Sequence, residues 1–152
     1  MNRSVSLEKA QMHNNICELS LRVRYAETDA MGIVHHSNYF VWFEAGRVEY
    51  MRTIGSDYTE VEKGGHFFAV SEAEARYLAP AHFDDLVLIR TWVEEVRSRS
   101  IAFNYEIVQA ETGQTLVTGF TRHVCIDTDG KVTAIPADVR KLLSERQIIH
   151  NK

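Results

Sequence analysis

The sequence has few of the residues that crosslink a chain or carry it through a membrane. Its 152 residues include only two cysteines, Cys17 and Cys125, which lie far apart and outside any C-x-x-C pair. That spacing argues against a disulfide framework and a cysteine-based zinc site, and it fits a reducing compartment. The first ten residues lack the apolar region of a secretory signal, and the apolar run Tyr39–Phe43 is far too short for a membrane span. We therefore expect a cytoplasmic protein with no membrane insertion.

The sequence also lacks a strong charge of either sign, because 17 basic and 21 acidic side chains give a net charge of −4. This balance provides no electrostatic footprint for nucleic acid, so no nucleic-acid partner is expected. An acidic ligand would need a local basic patch. The turn-forming segment Arg97-Ser98-Arg99-Ser100 has that composition, and by itself it fits a phosphate-binding turn and a solvated hairpin equally well.

One helix is far more apolar than the rest of the chain. Ser37 and Asn38 are good N-caps directly before it, and the pattern predicts a helix from Tyr39 to about Ile54 that Gly55 ends. Its apolar surface is too broad for a helix that lies on a protein surface, so we expect a sheet to bury it. A glycine in mid-helix, at position 46, predicts close approach of a strand.

Alternating apolar and polar residues predict a strand at residues 17–25, with Leu19, Leu21, Val23 and Tyr25 on the buried face. Further strands are predicted at residues 67–78, 86–96, 101–108 and 115–126, and short helices at residues 56–63 and 137–146. The short connections favour antiparallel neighbours, so the class is α+β. We expect one domain at residues 18–146, between a flexible arm, residues 1–17, and a tail, residues 147–152. Residues 7–12 would add at most a helical turn or two.

The stretch Tyr25–Arg47 holds the residues with the most chemical capability. Asp29 follows a strand end, lies beside the turn glycine Gly32, and precedes a helix N-terminus by a few residues. A carboxylate in that position can activate water or attack an acyl carbon, while a main-chain N–H of the first helical turn stabilises an oxyanion. The alternative is that Asp29 only caps the turn.

Other chemistries have less support from spacing. His35 and His36 fit acid–base, metal-binding or surface roles, but the histidines show no H-x-H or H-E-x-x-H spacing, so no metal is expected. Glu44 and Arg47 are three apart and form either a salt-bridged pair or a buried base beside a cation. No serine lies in a G-x-S-x-G elbow, so a nucleophile triad is unsupported.

The run Y-A-E-T-D-A-M-G-I-V-H-H-S-N-Y at Tyr25–Tyr39, followed by F-E-x-x-R at Phe43–Arg47, resembles a known family. It is similar to the 4-hydroxybenzoyl-CoA thioesterase branch of the hotdog-fold acyl-CoA thioesterases, and especially to those associated with the Tol–Pal system. Later landmarks also match, with Y-L-A-P-A-x-x-D-D at Tyr77–Asp85 and R-S-R-S at Arg97–Ser100. The resemblance covers about residues 19–143.

This resemblance implies a hotdog fold, in which an antiparallel sheet wraps one long helix. It implies hydrolysis of an acyl-CoA thioester without a cofactor, in a homodimer or homotetramer whose active site lies at the dimer interface. Asp29 matches the catalytic aspartate, as nucleophile or general base, and Tyr25 and His36 match other catalytic-site positions. A main-chain N–H near His36 would polarise the thioester carbonyl. The implied substrate-binding residues are Gly32, Val34, Asn38 and Tyr39, with Arg97 and Arg99 at the nucleotide end of coenzyme A.

Three residues depart from the family pattern. Glu27 stands where relatives often carry Asp, Met31 where a small residue is common, and His35 where Tyr or Trp is frequent. We expect these positions to line the entrance or the acyl pocket. The sequence therefore does not determine the identity of the acyl group, nor whether the substrate is a thioester of coenzyme A or of a carrier protein. The rival interpretations are a hotdog enoyl-thioester hydratase and a non-catalytic acyl-CoA or acyl-carrier binding protein.

Overall fold

In the computed structural model, residues 9–148 are described, and they form six strands and three helices. The strands are β1 (Lys9–His13), β2 (Ile16–Arg22), β3 (Phe67–Tyr77), β4 (Leu86–Val96), β5 (Ser100–Gln109) and β6 (Thr115–Ile126). The helices are α1 (Ser37–Thr53), α2 (Tyr58–Lys63) and α3 (Ala137–Ser144). Residues 1–8 and 149–152, which belong to the predicted arm and tail, lie outside the described residues. The limits of the predicted domain, residues 18–146, stay a prediction.

All six strands belong to one antiparallel sheet in the order β1-β2-β4-β5-β6-β3. The predicted neighbours β4, β5 and β6 follow one another through short turns, as expected for antiparallel pairing. Strand β3 precedes them in sequence yet pairs with β6, so it forms one edge of the sheet. The predicted α+β class is confirmed.

Helix α1 lies very close to this sheet. The ring of Phe43 stacks on Tyr105 of β5, with centroids 4.3 Å apart. Gly119 of β6 pairs with Tyr105, and a Cβ on Gly119 would lie only 2.2 Å from the Phe43 ring. A Cβ on Gly46 would similarly lie 2.4 Å from the hydroxyl of Thr91 in β4. The prediction that a strand approaches Gly46 closely is therefore confirmed.

The predicted flexible arm is wrong for residues 9–17. Strand β1 pairs with β2 from Lys9 opposite Ser20 to His13 opposite Ile16. The two residues between the strands, Asn14 and Asn15, have φ of 51° and 65°, as a tight hairpin of the I′ type requires. Asparagine tolerates this left-handed region better than most residues, so the Asn-Asn pair was the signal that sequence reasoning missed.

The first long strand is also shorter than predicted. Strand β2 ends at Arg22, and the chain passes through a 3₁₀ turn at Tyr25–Glu27. The backbone of Val23 instead bonds to the loop before β4, donating to the Asp85 carbonyl at 2.9 Å. The turn removes Tyr25 from the buried face, and its side chain is 77% exposed. Its predicted place in the core is wrong.

Helix α1 begins at Ser37, two residues before the predicted start, and neither predicted N-cap side chain caps it. The ring of His35 takes the capping role, since its Nδ1 accepts the Ser37 N–H at 3.2 Å. The Asn38 amide instead donates to the main-chain carbonyl of Glu27 at 2.9 Å. The sequence could not show this use of Asn38, because its partner lies eleven residues earlier, in the turn after β2.

Within residues 9–148, no helix combines the length and the apolar character that crossing a membrane requires. Both cysteines are buried free thiols. The cytoplasmic location stays a prediction.

Replacement of Gly119 by alanine tests the close approach of α1. We expect Gly119→Ala to lower the free energy of unfolding by about 1–3 kcal/mol, because the new methyl group overlaps the Phe43 ring. Urea denaturation followed by circular dichroism measures the change. Combining Gly119→Ala with Phe43→Leu should cost less than the sum of the single changes. Strict additivity would contradict the proposed clash.

Candidate active site

Asp29 lies in a tight turn between β2 and α1. Its main-chain N–H donates to the Ile33 carbonyl at 2.8 Å, and its carbonyl accepts the Gly32 N–H at 2.9 Å. Gly32 has a φ of +79°, in the left-handed region that the turn requires. The carboxylate also takes part, since Oδ1 accepts the Met31 N–H at 2.8 Å. Asp29 therefore caps its turn, and this contact occupies one of its two carboxylate oxygens, while its catalytic role stays a prediction.

The same carboxylate borders a cavity of about 330 Å³ between the turn, the start of α1 and the segment after β3. Such a volume is at the lower end of small-molecule pockets. The cavity brings together four of the nine predicted site residues, Asp29, Val34, His36 and Tyr39. Ile33 and the segment Tyr77–Pro80 complete its lining. Tyr77 and Pro80 belong to the motif at Tyr77–Asp85, whose sequence did not predict that they line the site.

At the start of α1, the main-chain N–H of His36 has no recorded acceptor in the described part of the chain. Between residues 34 and 39, recorded acceptors take the N–H groups of Val34, His35, Ser37, Asn38 and Tyr39. For His36, the structure records none among the described residues. An N–H left open at the start of a helix is suited to stabilise negative charge on a ligand oxygen. The predicted oxyanion donor near His36 thus has a physical candidate.

Tyr39 supports the cavity wall through its hydroxyl. The phenol is 3% exposed, and its oxygen accepts the Ala81 N–H at 3.2 Å. The Ala81 carbonyl in turn accepts the Val34 N–H at 2.9 Å, which ties the turn to the segment after β3. Burial raises the pKa of Tyr39 above its ordinary value, so the phenol is neutral at physiological pH.

The two adjacent histidines are exposed just before α1, and His36 lines the cavity. Their rings stack with centroids 4.3 Å apart, and His35 Nδ1 also contacts the Ser37 hydroxyl at 2.8 Å. The ring of Tyr77 lies at an angle of 78° to that of His36, with 6.2 Å between the centroids. Across the described residues, no cluster of three or more His, Cys, Asp or Glu side chains is arranged to hold a metal ion.

The other predicted site residues do not line this cavity. Tyr25 packs edge-on against Phe83, at 5.7 Å between centroids, and borders a separate cavity of about 760 Å³. The side chain of Asn38 is engaged with Glu27, as described above, and Gly32 acts through its backbone angle. Within one chain, the site therefore lacks its predicted Tyr25.

Arg97 and Arg99 lie in the exposed turn between β4 and β5. The next residue, Ser100, pairs with Val124, which pairs with Ala69 near the start of β3. The Asp29 cavity touches Tyr77 at the other end of β3, so the turn is roughly 26 Å away along the strand, at about 3.3 Å per residue. One chain therefore keeps the basic turn and the carboxylate apart.

Arg97 already has an ionic partner. Its guanidinium lies 3.0 Å from the Glu95 carboxylate. Arg122 donates to the other oxygen of Glu95 at 2.8 Å, and this cation, followed by Arg97, lowers the pKa of Glu95. A phosphate would have to compete with Glu95 for Arg97.

A second polar cluster lies further along α1. Glu44 is on the exposed side, and the guanidinium of Arg47 donates to the Tyr105 hydroxyl at 3.2 Å. The Tyr105 hydroxyl is hydrogen-bonded to the Thr121 hydroxyl at 2.6 Å. The Thr121 hydroxyl is in turn hydrogen-bonded to Nε2 of His123 at 2.8 Å. Burial, with help from Arg47, lowers the pKa of His123 to about 3, so its ring is neutral at physiological pH. The buried-base interpretation of Glu44 is wrong.

The sequence and the fold have counterparts among known proteins. Residues 23–143 match the family model described as the thioesterase-like superfamily. That match spans most of the chain. The chain belongs to this superfamily. The predicted hotdog fold and the predicted thioester hydrolase are confirmed by the same comparisons.

Individual relatives of this thioesterase-like chain are similar over nearly their whole length. The YneP protein of Bacillus subtilis is 30% identical over 91% of this chain and 97% of that protein. The acyl-CoA thioesterase YbgC of Haemophilus influenzae is 31% identical over 85% of this chain and 95% of that protein. Among solved structures, TT1821 of Thermus thermophilus is 41% identical, covering 86% of this chain and 98% of its own, with a TM-score of 0.81.

This chain is also similar to the solved structure of a thioesterase whose substrate is named. The DHNA-CoA thioesterase of Staphylococcus aureus is 30% identical, with a TM-score of 0.78. The similarity covers 88% of this chain and 97% of that one. Membership of the narrower 4-hydroxybenzoyl-CoA thioesterase branch stays a prediction. The roles of the individual site residues stay predictions as well.

Two tyrosines of the cavity provide a matched test of its wall. Tyr39→Phe leaves the buried Ala81 N–H without its acceptor, so we expect the free energy of unfolding to fall by about 1–3 kcal/mol. Tyr77→Phe removes a hydroxyl from a side chain that is 47% exposed, so stability should change by less than about 0.5 kcal/mol. Chemical denaturation measures both. Equal losses in the two variants would contradict the wall role of Tyr39.

Proposed function

We propose that this protein hydrolyses an acyl-CoA thioester to a carboxylic acid and free coenzyme A, at the cavity that Asp29 borders. One observation carries the proposal: Asp29 and His36, whose main-chain N–H has no recorded acceptor among the described residues, line the same cavity of about 330 Å³. Ester and thioester hydrolysis needs a base or nucleophile on one side of the carbonyl and a donor for its oxygen on the other. The acyl-CoA thioesterase activity named for YbgC supports this substrate class.

Asp29 acts as general base or as nucleophile. As base, its carboxylate takes a proton from water while the water oxygen attacks the thioester carbon, and the His36 N–H stabilises the tetrahedral oxyanion. Collapse breaks the C–S bond, and the departing thiolate takes the proton back from Asp29. As nucleophile, the carboxylate itself attacks, thiolate leaves, and water then hydrolyses the mixed anhydride. In both routes, the Met31 N–H donates to one carboxylate oxygen, and no hydrogen bond to the other is recorded within residues 9–148.

We propose further that the working unit is a dimer paired through β3. This strand is a sheet edge of eleven residues, and most of its side chains are exposed, among them Val70 at 55% and Tyr77 at 47%. A long edge with exposed apolar side chains favours pairing with another strand. Further association into a tetramer would use other surfaces.

The dimer would also bring the basic turn to the carboxylate. Antiparallel pairing of two β3 strands about their midpoints places the start of one strand beside the end of the other. The Arg97–Arg99 turn of the partner subunit then lies near Tyr77 and the Asp29 cavity. Within one chain the two lie roughly 26 Å apart along β3, so the dimer would bring them closer together than one subunit does.

The substitution Asp29→Asn tests the reaction. With acetyl-, hexanoyl-, palmitoyl- and benzoyl-CoA as substrates, we expect kcat to fall at least about 100-fold on the best of them, because the amide cannot accept a proton or attack carbon. Thiol release measured with a disulfide reagent gives the rate. Asp129→Asn, the same change in an exposed turn, should keep wild-type activity. Undiminished turnover by folded Asp29→Asn would remove the assignment, and tight acyl-CoA binding without hydrolysis by the wild type would favour a binding protein.

The double variant Arg97→Ala/Arg99→Ala tests the basic turn. We expect KM for acyl-CoA to rise about tenfold at unchanged kcat, since two cations that contact phosphate are lost, while acyl-pantetheine, which lacks the nucleotide, should be unaffected. Arg140→Ala, an exposed cation on α3, is the control.

Mixed dimers show whether the arginines of a site come from the same subunit as its Asp29 or from the partner subunit. A dimer of Asp29→Asn with Arg97→Ala/Arg99→Ala contains one intact site only if Asp29 and the arginines come from different subunits. Recovery of low-KM activity in the mixture supports the shared site. Activity that keeps the high KM of the arginine variant would show that each chain builds its own site.

A further inference from the structure

Glu27 is a buried carboxylate two residues before Asp29, and its side chain is not part of the Asp29 cavity lining. It is only 5% exposed. We propose that Glu27 is a positioning residue that sets the distance between the Asp29 carboxylate and the His36 N–H. This role rests on the proposed hydrolysis and adds to it. Glu27 does line the separate cavity of about 760 Å³ that Tyr25 borders, and the expectation that it lines the entrance or the acyl pocket stays a prediction.

The side chain of Glu27 joins the end of β2 to helix α1. Its Oε1 accepts the Arg24 main-chain N–H at 2.8 Å. Its Oε2 accepts the indole N–H of Trp42 at 2.9 Å and lies 3.3 Å from the Arg24 guanidinium. A carboxylate removed from water is tolerated only with such donors. Trp42 is 2% exposed on the buried side of α1, so this contact joins the turn to a side chain packed in the core.

The main chain of Glu27 joins the turn to the helix start. Its carbonyl accepts two donors, the His35 N–H and the Asn38 side-chain amide, both at 2.9 Å. The loop that carries Asp29 is thereby closed at its base. His36, which follows His35, provides the N–H that has no recorded acceptor among the described residues, and Asp29, two residues after Glu27, provides the carboxylate. Both groups are therefore within two residues of a hydrogen bond to Glu27.

The length of the side chain matters to this arrangement. Aspartate is shorter by one methylene, about 1.5 Å, and it could not hold the Arg24 N–H and the Trp42 indole together without movement of the backbone. Glutamine keeps the size but replaces one accepting oxygen with a donor group, which faces either Trp42 or Arg24 N–H unfavourably. Both substitutions should displace the turn while leaving the cavity residues themselves unchanged.

Steady-state kinetics of Glu27→Gln, Glu27→Asp and Trp42→Phe test the proposal, with the best acyl-CoA of the panel above as probe. We expect kcat to fall about tenfold or more in Glu27→Gln and Glu27→Asp while KM stays within about twofold, because misplaced groups slow the chemical step more than they weaken binding. Trp42→Phe should change kcat in the same direction. Glu60→Gln, which removes an equal charge from an exposed pair with Lys63, should behave as wild type.

The indole resonances give an independent measurement. The protein has two tryptophans, so the ¹H–¹⁵N spectrum shows two indole signals, and Trp92 on β4 serves as internal reference. We expect the Trp42 signal to move upfield in Glu27→Gln, since its hydrogen bond to the carboxylate is lost, while the Trp92 signal stays in place. A general loss of structure would move both.

The outcomes separate the two proposals. Turnover that survives Asp29→Asn removes the hydrolysis mechanism whatever Glu27 does. If Asp29→Asn is inactive and a folded Glu27→Gln keeps wild-type kcat, or changes only KM, the positioning role is overturned. Should Glu27→Gln fail to fold by circular dichroism, Trp42→Phe decides, and wild-type kcat in that folded variant rejects the role.

Discussion

The close approach of helix α1 to the sheet is the constraint on which the other features depend. It requires an aromatic ring on the helix and a missing side chain on the sheet, provided by Phe43 and Gly119, and a second glycine, Gly46, where the helix meets β4. Because the contact leaves no spare space, α1 cannot shift along its axis without a clash. The start of the helix is thereby held at a fixed place, and everything at the candidate site is positioned from there.

Two side chains near the start of α1 hold the segments on either side of the candidate site. Trp42, one turn into the helix, holds the Glu27 carboxylate, and Tyr39 holds the segment after β3 through Ala81. The turn between these two contacts carries Asp29. A loop of this kind would be mobile by itself, but buried hydrogen bonds to a packed helix restrict it. The proposed chemistry would therefore take place on a loop that hydrogen bonds tie to the packed core.

Local patterns predicted the elements well and their contacts poorly. The alternation at Leu19–Val23 and the breadth of the apolar helix gave the strands and α1, because those signals depend on which face a side chain occupies. The hairpin at Asn14–Asn15 was missed although its turn signal was present. Tyr25 was misplaced because alternation continues in sequence past Arg22, where the backbone pairs with a loop about sixty residues later and turns away.

By itself, the sequence determined the α+β class, the strand and helix content, and, through the motif from Tyr25 to Arg47, the family and the candidate carboxylate. Tertiary structure decided which of the motif's residues meet. It placed β3 at an edge and set the basic turn far from Asp29 within one chain. It also left the His36 N–H with no recorded acceptor among the described residues. It also showed Glu27 to be a buried tie between turn and helix. The reason is physical: residue types and spacing report local preference, whereas contacts between distant segments arise only when the helix and sheet pack together.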